Sequence, residues 1–283
     1  MGEVKITVLC ENTAAVPLGI TGEHGFAALI EKDGEKLLLD TGQGLSLLNN
    51  ARALQINLAE VKRVVLSHGH YDHTGGLPQF LVPPRGVEII AHPDVFDTKH
   101  AEIDSPFGKV KIFIGMRFSR MWLEKGLFSQ FNLQKEFKEI SPGIFYSGEV
   151  PRNTDFEHPD PRLLVERSGS FEPDPLLDDI SLLIETDKGP VILLGCAHAG
   201  TVNVMKHFAA KTGHEKFHAV IGGTHLGFLG DPNQLEKTMD AFDEYGVEMV
   251  AVSHCTGQES AARIYQRFGE KFAFAGAGWS AKF

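Results

Sequence analysis

One stretch constrains this chain more than any other: Val64-Val65-Leu66-Ser67-His68-Gly69-His70-Tyr71-Asp72-His73-Thr74-Gly75-Gly76-Leu77. Val64 to Leu66 is a short apolar run and reads as a buried strand. Ser67 and Gly69 end it. Four residues able to ligate a metal follow closely: His68, His70, Asp72 and His73. Thr74 then reads as the cap of a helix through Leu77 and Phe80. The ligands therefore fall between the C-terminal end of a strand and the N-terminus of a helix, where open α/β sheets place their chemistry. His68 and His70 are two apart in an extended turn, so both imidazoles reach one cation. Asp72 and His73 come a turn later and face a second. Imidazole with carboxylate suits zinc, iron or manganese better than calcium or magnesium.

Composition narrows the setting. The chain has 283 residues, 42% of them hydrophobic, which is ample for a sizeable core. The net charge of −10 gives no cationic footprint for a phosphate backbone, so nucleic acid is not an expected partner. Cys10, Cys196 and Cys255 are three in number and far apart, so no disulfide framework is implied. No apolar run approaches membrane-spanning length, and the chain opens on strand-like Val4 to Leu9 with no secretory segment. Met1-Gly2 does not satisfy the myristoylation pattern, since Ile6 stands where Ser or Thr is needed. The expectation is a cytoplasmic protein, free of membranes, acting on a small molecule. A homo-oligomer is compatible with all of this.

Along the chain, residues 4–9, 24–30 and 36–39 read as a strand meander, followed by helical spacing over 45–54. Asp40 ends the third strand. It is either a carboxylate that orients a ligating histidine or a plain turn cap. Residues 61–66 and 87–91 are further strands, and His92 before Pro93 reads as a surface turn residue. The rhythm breaks over 94–145, which is expected to be an insertion, either a lid or a structural decoration. Residues 153–178 read as a proline- and acid-rich loop. The second half alternates strands (180–185, 191–194, 217–221, 247–252, 272–274) with helices (202–210, 233–245, 259–268), which implies crossover units with helices packed outside a sheet. Four apolar strands end in small residues and then a histidine: His68, His198, His225 and His254. Four of 13 histidines at equivalent strand ends point to ligands and pocket walls.

The run Leu66 to Leu77 resembles the metal-binding motif of the metallo-β-lactamase superfamily. More narrowly, with Asp40-Thr-Gly42, Gly195-Cys-Ala-His-Ala-Gly200, Gly222-Gly-Thr-His225 and Ser253-His-Cys-Thr-Gly257, it resembles the branch of dihydropterin ribofuranosylaminobenzene phosphate synthases. The resemblance implies a single domain over 1–283 with the four-layer αββα sandwich, an α/β (α+β) fold of two mixed sheets flanked by helices. It also implies two divalent transition metal ions, zinc first, with iron or manganese as alternatives. Superfamily members usually add a histidine before a strand like 180–185 and a bridging Asp after one like 191–194. Neither stands here. The expected sets are therefore His68, His70 and His198 for one metal, and Asp72, His73 and His254 for the other, with no bridging carboxylate. Cys196 is either a soft thiolate ligand or a small buried residue, and Cys255 should point away if His254 points in. Asp72 and His225 are the expected catalytic residues, His225 as a proton carrier rather than a ligand, and Arg152 is the candidate holder of an anionic group. The leading expectation is a hydrolase using metal-activated water on a small phosphate- or pterin-like substrate. The alternatives are a phosphoribosyl-type transferase of pterin biosynthesis and an iron-based redox or metal-sensing protein.

Overall fold

A computed structural model of the chain describes residues 3–84, 86–228, 231 and 233–283; Met1 and Gly2, and with them the amino-terminal pattern, lie outside the described residues. The first half runs β1 (Val4–Cys10), β2 (Ala27–Lys32), β3 (Glu35–Leu39), α1 (Leu47–Ala53), β4 (Arg63–Val65), α2 (Tyr71–Thr74), α3 (Leu77–Phe80), β5 (Glu88–Ala91), β6 (Thr98–Ser105), β7 (Gly108–Phe113), α4 (Arg120–Leu127) and β8 (Gln130–Leu133). The second runs β9 (Lys138–Ser141), β10 (Ile144–Tyr146), β11 (Leu163–Arg167), β12 (Ser170–Pro173), β13 (Ser181–Ile184), β14 (Val191–Leu194), α5 (Thr201–Thr212), β15 (Ala219–Gly223), α6 (Gln234–Glu244), β16 (Met249–Ser253), α7 (Gln258–Phe268), β17 (Phe272–Phe274) and β18 (Ser280–Lys282).

Two seven-stranded sheets form the centre, in the orders β18-β1-β2-β3-β4-β5-β8 and β17-β16-β15-β14-β13-β10-β9. Both are mixed: β3, β4, β5 and β8 run parallel, as do β14 to β17, while the remaining pairs are antiparallel. The strands read as unbroken apolar runs because both faces are covered. Leu37, Leu39 and Val65 face the other sheet, where they meet Leu182, Val191 and Ile221. Leu38 and Val64 point outward onto Leu47, Phe80 and Leu123 of α1, α3 and α4. On the far side Leu183, Ile192 and Val250 point outward onto Phe208, Met239 and Ile264 of α5, α6 and α7. The result is the αββα sandwich. Burying each such side chain contributes about 1.5–3 kcal/mol, so burial on both faces anchors the central strands of the two sheets. Among the described residues, no helix is long and apolar enough to cross a membrane.

The sequence reading needs correction in three places. Residues 94–145 do not form one body, since β8 closes the edge of the first sheet and β9 the edge of the second. Only β6 and β7 stand apart, and they join β11 and β12 in a separate four-stranded sheet of order β12-β11-β6-β7. The expected loop 153–178 thus contains a hairpin. Finally, Thr74 does not cap a helix. It closes the turn α2 and donates to the His70 carbonyl at 3.0 Å, and α3 starts separately after Gly76.

Candidate metal centre

The C-terminal ends of β14, β15 and β16 lie level, because Leu194 pairs with Gly222 and Gly222 with Val252 in parallel register, and in the other sheet those of β3 and β4 do so through Leu39 and Val65. Residues just past these ends meet in one place. Asp40, Ala197, His225 and His254 all carry φ between 50 and 59°, a left-handed backbone rare for residues other than glycine. Each sharp turn brings a side chain back over the sheet edge, and such strained positions cluster at working sites. The approach is close: a Cβ on Gly195 would collide with the Ser67 side chain, so the end of β14 can lie against the metal loop only with glycine there.

The loop after β4 runs extended through His68 to His70, and this puts both rings on one side. His68 Nε2 lies 2.9 Å from His70 Nδ1 and 3.3 Å from His198 Nε2, and all three residues are buried. Burial lowers the pKa of each, so each ring is held neutral and keeps one nitrogen lone pair able to take a cation.

At Tyr71 the backbone turns helical, which sends the next two side chains elsewhere. Asp72 Oδ2 is 3.3 Å from His254 Nε2, and His73 Nε2 is 3.4 Å from the same nitrogen. Burial opposes the Asp72 carboxylate, but His73, His24 and His254 outweigh it and hold its pKa well below the usual range. Asp40, fully buried, lies behind His73: its Oδ2 is 2.7 Å from His73 Nδ1, and Ser67 donates to it from backbone N–H and hydroxyl at 2.7 and 2.6 Å. Burial works against a charged His73, yet Asp40 and Asp72 lift its pKa to about 9. Of the two readings of Asp40, the geometry is the orienting one, with Nε2 left to face the cleft.

Among the described residues, four groups of potential ligands, each with its atoms within 4.8 Å of one another, result: His68-His70-His198, His68-His73-Cys196, Cys196-His254-Cys255 and His24-Asp72-His254. Imidazoles, one carboxylate and thiols form a donor set for zinc-like cations, not for calcium or magnesium. The residues present therefore fit the divalent metals that the sequence implies. Above them opens a cleft of about 200 Å³ lined by Tyr71, Ile103, Leu163, Arg162, His225 and Phe228. His225 belongs to none of the four groups. Its ring lies 4.3 Å from that of His198, and its Nε2 lies 3.6 Å from Asp160 Oδ2.

Several expected placements fail. Arg152 does not face the cleft: its guanidinium donates to the carbonyls of His198 (2.5 Å) and Pro175 (3.0 Å), bracing the loop that carries His198. The arginine of the cleft is Arg162, held by Asp160 at 2.9 Å and lying 5.3 Å from the centre of the Phe228 ring. Cys255 does not point away. Residues 254–256 form a 3₁₀ turn, so strand alternation does not apply, and the Cys255 sulfur accepts from the His225 backbone N–H at 3.2 Å. His92 is buried and lies 3.1 Å from Glu149, not at the surface. His24, read only as the start of a strand, stands 3.2 Å from Asp72 Oδ2 with its side chain about half exposed.

Comparison with known proteins bears on the family and the fold. The model of the metallo-beta-lactamase superfamily matches residues 20–254. The chain is 30% identical to the 7,8-dihydropterin-6-methyl-4-(beta-D-ribofuranosyl)-aminobenzene-5'-phosphate synthase of Methanocaldococcus jannaschii, over 99% of this chain and 97% of that protein. Among solved structures it is similar to Tm1679, described as a metal-dependent hydrolase of the beta-lactamase superfamily, with a TM-score of 0.81, 30% identity and 98% of each chain covered. It shares the fold alone with the metallo-beta-lactamase fold protein YhfI from Bacillus subtilis (TM-score 0.58, 11% identity, 99% of each chain covered).

Proposed function

The chain belongs to the metallo-beta-lactamase superfamily, and from that premise we propose that it is a dinuclear metal-dependent hydrolase of a small anionic substrate. One observation carries the reading. Two ligand sets, His68-His70-His198 and Asp72-His73-His254, meet at the floor of a cleft that also holds an arginine and two aromatic rings. Zinc is the expected metal, with iron or manganese as alternatives. Bound there, a metal pair supplies a water of lowered pKa and stabilises negative charge that develops on the substrate.

The chain's own residues do the rest. Asp40 holds His73 in the tautomer that presents Nε2. Asp72 brings the only carboxylate of the two sets. Arg162, paired with Asp160 and resting on Phe228, offers the cleft a cation for an anionic group. His225, beside Asp160, is placed to donate to a substrate or hand on a proton. Burial opposes its charged form, but Asp160 and Cys255 raise its pKa to about 9, so near neutral pH the ring carries the proton it would donate.

The test is turnover of zinc-loaded protein on phosphodiester, lactone and pterin phosphate substrates, with and without a chelator. Metal-dependent addition of water to one of them supports the reading; turnover that survives complete metal removal refutes it. A second reading, a synthase condensing a phosphoribosyl donor with an aromatic acid, is favoured by the name of the M. jannaschii relative. Product analysis separates the two, because a condensation product contains both reactants and hydrolysis yields two smaller ones. An iron-based redox or sensing role requires iron in the native protein, which elemental analysis reads directly.

A further inference from the structure

The third sheet has two unlike faces. Side chains of β6 and β7 alternate between them, and the pairing fixes which share one: Ala101 lies opposite Ile112, and Ile103 opposite Val110. Leu163 of β11 pairs with Ala101 on the same side, and Ile114, two residues beyond Ile112, continues it. The other face carries Glu102 opposite Lys111 and Asp104 opposite Lys109. It is closed over itself, with the His100 ring 5.6 Å from that of Phe113 and 4.9 Å from that of Phe171, and the Lys111 ammonium 5.1 Å from the Phe171 ring. The apolar face is open, and its burial falls outward. Ile114 and Leu163 are buried and pack with Leu176 and Tyr71, whereas Ile112, Ile103 and Val110 are 43%, 42% and 38% exposed. Ala101, Ile103, Ile114 and Leu163 also line the cleft above the metal centre. From there the face runs on across β7, one strand spacing of about 4.8 Å further. Single exposed apolar side chains are ordinary, but adjoining ones that run out of a cleft mark a binding surface.

We propose that the apolar face of the third sheet holds an alkyl or aryl body of the substrate, whose anionic, hydrolysable group sits at the metals. This rests on the hydrolase reading above and names the rest of its substrate: an amphiphile, not a bare phosphate ester or a sugar phosphate. The occupant follows from continuity. The same side chains form the cleft wall and the inner part of the open face, so a molecule anchored at the metals covers Val110 and Ile112 with whatever it carries on that side. A sugar or a second charge there would lose hydrogen bonds to water and meet only carbon. An alkyl chain or an aromatic ring gains apolar contact instead. At the other end Arg162 meets the anionic group, so one molecule uses both halves of the cleft.

Ethyl-, butyl-, hexyl- and octylphosphonate are the probes, because they share one anionic head and differ only in the apolar chain. Titration calorimetry on the zinc-loaded, full-length protein should show affinity rising about two- to fourfold with each added methylene. Val110→Thr with Ile112→Thr keeps the β-branched shape that suits a strand and places hydroxyls on the face. This variant should bind ethylphosphonate as the wild type does and lose at least half of the gain per methylene. Lys111→Thr, on the opposite face of the same strand, should keep the wild-type gain. Circular dichroism confirms that both are folded. Equal affinity for ethyl- and octylphosphonate in the wild type overturns the inference and leaves the hydrolase reading standing. A gain that the double variant keeps, or that Lys111→Thr loses equally, overturns it too. So does a wild-type dimer that the double variant splits in sedimentation, since the face then belongs to a second copy. No phosphonate of any length bound by zinc-loaded protein overturns the reading of the cleft as an anion site, and this inference with it.

Discussion

Lys99 is buried, with 1% of its surface exposed, and ties the third sheet to the metal loop. From β6 its ammonium reaches Asp174 Oδ2 at 2.8 Å and Asp178 Oδ1 at 2.9 Å. The other oxygen of Asp178 accepts from the backbone N–H of Gly69, between His68 and His70, at 2.8 Å. Lys99→Met keeps the length and apolar stem but leaves two buried carboxylates without the ammonium that bridges them. Breaking one side of a buried ion pair costs about 3–5 kcal/mol. At roughly 2 cal/mol/K per residue, the unfolding entropy of 283 residues is about 0.6 kcal/mol/K, so Tm should fall by about 5–8 °C. The sign with pH follows from Asp178. Burial is the largest influence on it and raises its pKa, and Lys99 opposes that rise. A carboxyl with a raised folded-state pKa stabilises most below its unfolded value and loses that contribution as pH rises through the folded one. Without Lys99 the loss is larger, so the deficit of the variant should be greater near pH 7.5 than near pH 5. Differential scanning calorimetry at the two pH values reads both effects. Replacing all three groups together, Lys99→Met with Asp174→Asn and Asp178→Asn, should recover much of the loss. A Tm for Lys99→Met within about 1 °C of wild type would refute the reasoning, because a buried carboxylate pair cannot lose the cation that bridges it at so little cost.

Asp40→Asn removes the charge behind His73 and should weaken metal binding by about 10–100-fold in a competitive chelator titration, with the fold intact by circular dichroism. Unchanged affinity would return Asp40 to a plain turn role. His225→Ala should keep full metal content by elemental analysis and slow turnover by about 10²-fold or more; loss of a metal equivalent would instead make it a ligand. Arg162→Gln should raise KM for anionic substrates and leave KM for neutral lactones little changed, since it removes a cation from the cleft wall and nothing from its floor.

The parts of this molecule that follow local rules were legible in the sequence. Leu37 to Leu39, Val64 to Leu66 and Val191 to Leu194 are apolar on both faces because sheet lies on one side and helix on the other. The histidines after such runs fall at one edge because parallel register aligns the strand ends. What stayed hidden depends on long-range pairing and on turn geometry. Leu163 pairs with Ala101 across the chain, and β7 is exposed along its whole length, so β7 shows no buried-face period and the pairing of β6 with β11 leaves no local signal. Arg152 and Arg162 lie in one irregular stretch, and nothing local says which turns to the cleft. Alternation placed Cys255 opposite His254, but the left-handed His254 and the 3₁₀ turn after it cancel that rule. His24 approaches Asp72 only because the turn before β2 folds against the metal loop, where Phe26 N–H donates to the Asp72 carbonyl at 3.2 Å.

The central claim is that two ligand sets hold two metals, and stoichiometry tests it most directly. Protein purified without chelators should contain zinc, iron or manganese at about two equivalents per chain by elemental analysis. His198→Ala should lower the figure to about one by emptying the first set, and Asp72→Asn should do the same for the second while the fold persists. Wild-type protein free of transition metal, or a content that neither substitution changes, would contradict the account.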